Sequence, residues 1–154
     1  LNKTFGNSIK NSFKMSNVEL INDKDMIKCI ASHDGYEKNF GCIHKREISI
    51  EKTTENLSGC DKLFKKKDGK PIKYNLRFHF YPGLTIVKTM GGDSVLIQLS
   101  KNKSLIFTIK NENIVIERSI FLGGNKILEN TCVTVSGNLV NKDKEIHWQI
   151  KKNI

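Results

Sequence analysis

Apolar and polar positions alternate along much of this chain with the two-residue period of β-strands. In Ser104-Leu105-Ile106-Phe107-Thr108-Ile109-Lys110, the side chains of Leu105, Phe107 and Ile109 point one way. In Glu145-Ile146-His147-Trp148-Gln149-Ile150, one face carries Ile146, Trp148 and Ile150, and the other carries His147 and Gln149. In Ile114-Val115-Ile116-Glu117-Arg118, Ile114 and Ile116 oppose Val115 and Glu117. A helical pattern of i, i+3, i+4, i+7 with caps is not found. The alternation and the β-branched and aromatic runs predict strands over 13–20, 26–32, 43–50, 56–64, 74–80, 84–88, 94–100, 104–110, 113–121, 128–136 and 144–151.

Turn chemistry separates these runs. Lys67-Asp68-Gly69-Lys70 and Gly91-Gly92-Asp93 read as hairpin loops. Asn111-Glu112-Asn113 and Asn141-Lys142-Asp143 read as short polar connectors. Many short antiparallel strands at regular spacing predict an all-β fold. The expected form is an antiparallel β-sandwich of about 10–12 short strands in stacked sheets, with little or no helix. At 154 residues, with no repeat and no linker, residues 1–154 read as a single domain. The chain starts Leu1-Asn2-Lys3, with neither an initiator Met nor a signal-peptide core, and is expected to be part of a longer protein. No apolar run reaches the ~20 residues of a membrane span.

A net charge of +10 changes this picture by pointing to an acidic partner: nucleic acid, anionic membrane or acidic polysaccharide. Part of that charge is compositional. Lysines number 23, and only Arg46, Arg77 and Arg118 are arginines. A dedicated phosphate reader would use more Arg forks, and single-strand binding would use more than 8% aromatics, so no nucleic-acid partner is expected. Cys29, Cys42, Cys60 and Cys132 have no zinc-like spacing, and most lie in apolar runs, as buried free thiols would.

Candidate chemistry gathers in Ser32-His33-Asp34-Gly35-Tyr36 and Arg77-Phe78-His79-Phe80-Tyr81-Pro82-Gly83, with His44 and Arg46 between them. Arg77 and His79 are two apart and share a sheet face; so do His44 and Arg46. Such a face could clamp a carboxylate or sulfate through the Arg fork and a His hydrogen bond. It could equally be a half-buried structural network in which Asp34 pairs with an Arg or His. The candidate substrate-binding residues are therefore His33, Tyr36, His44, Arg46, Arg77 and His79. A zinc site from His33, Asp34 and His79 lacks ligand spacing, and no metal ligand is assigned. There is no nucleophile elbow and no phosphate loop, and no catalytic residue is assigned. Lys65-Lys66-Lys67 reads as a solvated turn.

Six short stretches, in order, resemble the C-terminal β-sheet domain of heparinase II/III-like polysaccharide lyases. They are Ser32-His33-Asp34-Gly35-Tyr36, Phe40-Gly41-Cys42-Ile43-His44-Lys45-Arg46, Leu57-Ser58-Gly59-Cys60-Asp61-Lys62-Leu63, Arg77-Phe78-His79-Phe80-Tyr81-Pro82-Gly83, Ser119-Ile120-Phe121-Leu122-Gly123, and Val135-Ser136-Gly137 with Ile146-His147-Trp148-Gln149-Ile150. One departure is Tyr81, which stands where a second His is expected.

The resemblance implies a parent with an α-helical toroid followed by this sandwich. It implies β-elimination of uronate-containing polysaccharide. In that chemistry an Asn or His neutralises the carboxylate, a Tyr or His removes the adjacent proton, and a Tyr protonates the leaving oxygen. Those groups, and any structural zinc, are expected upstream of Leu1. The fragment alone is thus expected to be inactive, to support the toroid and to form one wall of the cleft. Acidic polysaccharide and the toroid are the implied partners, and the periplasm or cell envelope the implied location. The alternative is a non-catalytic carbohydrate- or polyanion-binding module. Exposed stacking aromatics would mark it, whereas the alternation turns Trp148 inward.

Overall fold

The computed structural model describes residues 13–67, 69–140 and 142–153. Among the described residues, eleven strands carry the fold: β1 (Ser16–Asn22), β2 (Met26–His33), β3 (Cys42–Glu51), β4 (Leu57–Lys65), β5 (Ile72–His79), β6 (Thr85–Lys88), β7 (Ser94–Ser100), β8 (Lys103–Ile109), β9 (Ile114–Gly123), β10 (Lys126–Leu139) and β11 (Lys144–Asn153). The one described helix, α1 (Glu37–Phe40), is a single turn. All strand pairs are antiparallel. An eight-stranded sheet runs β1-β2-β3-β4-β11-β8-β7-β6, and a three-stranded sheet runs β5-β10-β9.

The alternation is what joins the two sheets. Val95, Ile97, Phe107, Ile109, Ile146 and Trp148 of the large sheet are buried against Leu76, Ile114, Val133, Val135 and Leu139 of the small one. Phe78 enters from β5 with its ring centre 4.9 Å from Phe107 and 5.2 Å from Trp148. Trp148 lies across from Gly59 on β4. An alanine Cβ at Gly59 would sit 2.2 Å from Trp148 Cζ2, so only glycine leaves room for the indole.

Lys67–Lys70 does not close a hairpin. The strands on either side, β4 and β5, lie in different sheets, and the loop carries the chain from one layer to the other. Asp68, on which that reading leaned, lies outside the described residues, as does Asn141 of the β10–β11 connector. Gly91-Gly92-Asp93 does join an antiparallel pair, β6 and β7.

The small sheet covers only part of the large one. Beyond it, the core-facing side continues through β3, β2 and β1 as an apolar strip of Ile50, Ile27, Leu20 and Val18. The outermost two are 69% and 71% exposed, respectively. The opposite side is polar, with Glu47 held between Lys28 and Lys45 at 3.0 Å each. All four cysteines are free; Cys42, Cys60 and Cys132 are buried and Cys29 is half-buried.

Candidate functional site

β5 is an edge strand of the small sheet, and α1 and β3 stand opposite it. Between them lies a cleft of about 390 Å³, lined among others by Tyr36, Phe40, His44, Arg46, Tyr74 and Arg77. Two-residue spacing on β3 points Cys42, His44 and Arg46 toward this side. α1 is stopped by Gly41, whose φ of 65° is left-handed and whose N–H donates to Glu37 O at 2.8 Å. That stop turns the chain into β3 and leaves Tyr36 and Phe40 at the rim, 47% and 58% exposed.

The floor of the cleft is an internal ion network. Asp61 on β4 is wholly buried. Its carboxylate accepts from Arg46 Nε at 2.7 Å, Arg46 Nη2 at 3.2 Å and Trp148 Nε1 at 2.9 Å, and bonds His44 Nε2 at 2.6 Å. Burial pushes the Asp61 carboxyl up, but the donors His44, Arg46 and Trp148 outweigh it and hold it below the ordinary value. The Arg46 guanidinium also lies 5.3 Å over the Phe78 ring. The carboxylate that His44 and Arg46 clamp is therefore the protein's own.

The six sequence candidates separate accordingly. Tyr36, His44, Arg46 and Arg77 line the cleft. His33 stands behind it, its ring 5.0 Å from Tyr36 and 5.6 Å from His44. Its Nδ1 accepts the Gly35 N–H at 3.2 Å. Burial and the neighbouring His44 hold its pKa below the usual imidazole value, against the opposing pull of Asp34. His79 lies elsewhere, on the outward face of the small sheet, 3.0 Å from Ser119 Oγ and 3.9 Å from Cys132 Sγ. Asp34 pairs with neither Arg nor His; its carboxylate accepts the N–H groups of Lys14 and Met15 at 2.9 and 3.2 Å. His33, Asp34 and His79 thus point to separate partners.

Sequence reading passed over the neighbouring groove. About 490 Å³ in volume, it shares Phe40, Ile72 and Lys73 with the cleft, and is lined by Lys38, Lys65, Lys67, Lys70 and Lys73 with no acidic side chain among the described residues. The Lys66 N–H donates to Gly41 O at 2.8 Å, which ties the lysine-rich loop to the end of α1. The signal was the run Lys65-Lys66-Lys67, whose chemistry emerges only when α1 brings Lys38 alongside.

The family described as "Heparinase II/III-like, C-terminal" matches residues 7–149. The chain belongs to that family. Solved structures share the fold of this heparinase II/III-like C-terminal domain. A heparinase III gene product superposes with a TM-score of 0.72 at 12% identity, covering 90% of this chain and 21% of that one. Heparan sulfate lyase HepC from Pedobacter heparinus gives 0.75 at 9% identity, covering 89% and 21%. A further heparinase III structure gives 0.69 at 12% identity with the same coverage as HepC. The chain thus spans about a fifth of the length of these structures. No curated protein sequence matches it.

Proposed function

We propose that this domain is the β-sandwich portion of a polysaccharide lyase that cleaves uronate-containing, acidic polysaccharide by β-elimination, and that it contributes a binding wall and no catalyst. The observation that carries this reading is the set of lysines, Lys38, Lys65, Lys67, Lys70 and Lys73, that lines the groove with no acidic side chain among the described residues, continuous with a cleft lined by Tyr36, Phe40 and Arg77. Lysines spaced along a groove suit the repeating carboxylates and sulfates of such a chain, and exposed rings suit the apolar faces of its sugars. Membership of the heparinase II/III-like family supports the reading. His44 and Arg46 shape the floor through Asp61 and leave the ligand to Arg77 and the lysines. The uncovered apolar strip from Val18 to Ile50 supports a docked neighbour, for which the α-helical toroid of a longer lyase is the proposed occupant.

The chain should retain heparan sulfate oligosaccharides at low salt and release them as salt rises, because exposed charges are screened within about 8–10 Å at physiological ionic strength. Lys70→Glu with Lys73→Glu should weaken retention about tenfold, from two exposed contacts worth about 0.2–1 kcal/mol each and reversed in sign. The same chain should generate no ultraviolet-absorbing unsaturated uronate from heparin, heparan sulfate or alginate. Robust turnover by the chain alone would overturn the assignment of a wall without a catalyst.

The exposure of Tyr36 and Phe40, whose ring centres lie 6.4 Å apart, favours one second reading: a non-catalytic carbohydrate-binding module. That module would bind neutral sugars by stacking and keep its affinity at high salt.

A further inference from the structure

On the polar side of the large sheet, away from the cleft, β4 and β11 place three metal-type donors together. Cys60 and His147 are direct partners across the antiparallel pair, and Glu145 is two residues before His147 on the same face. Cys60 Sγ lies 3.8 Å from His147 Nε2, and that nitrogen lies 3.5 Å from Glu145 Oε2. The three donor atoms all fall within 4.8 Å of one another. We propose that Cys60, Glu145 and His147 form a zinc-binding site that staples β11 to β4.

The geometry carries the assignment. With zinc–ligand bonds of about 2.0–2.3 Å, the edge of a tetrahedral donor set is about 3.5 Å. The two separations at His147 Nε2, 3.8 and 3.5 Å, lie close to that edge, and the third falls within 4.8 Å. The donor types are those zinc takes: a thiolate, an imidazole nitrogen and a carboxylate oxygen. With the thiolate and carboxylate ionised, their two negative charges balance the ion. Cys60 is buried and fixed by its strand, while Glu145 and His147 are exposed and free to adjust. Lys62 Nζ, 3.2 Å from Glu145 Oε1, competes for that carboxylate, but Glu47 lies 3.6 Å away on the other side and can keep the ammonium. The fourth position opens to solvent and takes water. The ligands come from positions 60, 145 and 147, so local sequence spacing could not reveal them.

The probe is Co²⁺, followed by Zn²⁺, added to the reduced 154-residue chain. One equivalent of Co²⁺ should give a thiolate-to-cobalt charge-transfer band that Zn²⁺ abolishes by displacement. Cys60→Ser should remove the band. His147→Ala, at an exposed position that leaves the core intact, should weaken binding at least about tenfold, since even outer-shell losses cost 10–100-fold. Cys132→Ser should leave the band unchanged, although Cys132 lies near His79. Zn²⁺ should raise the melting temperature of the parent chain and not of His147→Ala. Absence of a thiolate band, its persistence in Cys60→Ser, or its loss only in Cys132→Ser would overturn the proposal.

Discussion

Asp61→Ala should destabilise the domain by about 3–5 kcal/mol, because it strips one buried acceptor from His44, Arg46 and Trp148 together and leaves Arg46 without its counter-charge. Total stability for a domain of this kind is about 5–15 kcal/mol, so the variant should unfold at much lower urea concentrations. Asp61→Asn keeps the shape and one acceptor oxygen but loses the charge, and should fall between the two. The pH dependence has a definite sign. The folded carboxyl is held below its ordinary value of 3.8, so its contribution is full above that value and is lost as pH falls toward the folded pKa. Urea midpoints measured from neutral pH downward should therefore decline in the parent chain. Asp61→Asn, lacking the carboxyl, should decline less. Equal declines would show that other carboxyls govern acid unfolding.

Trp148→Ala should be comparably severe, about 3–5 kcal/mol, since it empties the space between Phe78, Phe107 and Gly59 and removes one donor from Asp61. The parent indole should resist quenching by iodide, because it is nearly fully buried. Gly59→Ala attacks the same contact from the other side and should also destabilise, since its Cβ would overlap the indole ring. Strong quenching together with an unchanged melt for Trp148→Ala would instead place the ring at the surface, where a sugar-stacking module would put it. Because Trp148 and Asp61 are bonded, the double variant Asp61→Ala/Trp148→Ala should cost less than the two single losses added together.

The strands were legible because their side chains alternate over two unequal environments, a core and a wet face. Ile146, Trp148 and Ile150 against His147 and Gln149 is the clearest case, and the structure buries Ile146 and Trp148. Sheet membership was less legible. Lys67-Asp68-Gly69-Lys70 has hairpin chemistry, but whether a turn returns to its own sheet depends on which partner buries the next strand. Leu76 and Phe78 find theirs across the core. The candidate site was legible in part. Pairing His44 with Arg46 followed from their spacing. Their true partner, Asp61, sits on the neighbouring strand at the register position opposite Arg46, and only that register reveals it. His79 left the set because it lies at the last position of β5, paired with Cys132 and beside Ser119, beyond the stretch from Ile72 to Arg77 that lines the cleft. The groove lysines were hidden for the opposite reason: each is an ordinary surface residue, and only the α1 turn and the crossover loop make them one surface.

The central claim, that an acidic polysaccharide lies along the lysine groove and the Tyr36–Arg77 cleft, is tested most directly by backbone amide NMR spectra of the chain titrated with heparan sulfate oligosaccharides. The account predicts salt-sensitive shifts at Tyr36, Phe40, Lys70, Lys73 and Arg77, with the polar face around Lys28, Lys45 and Lys62 silent. Shifts confined to that polar face, or none at the cleft at low salt, would contradict it.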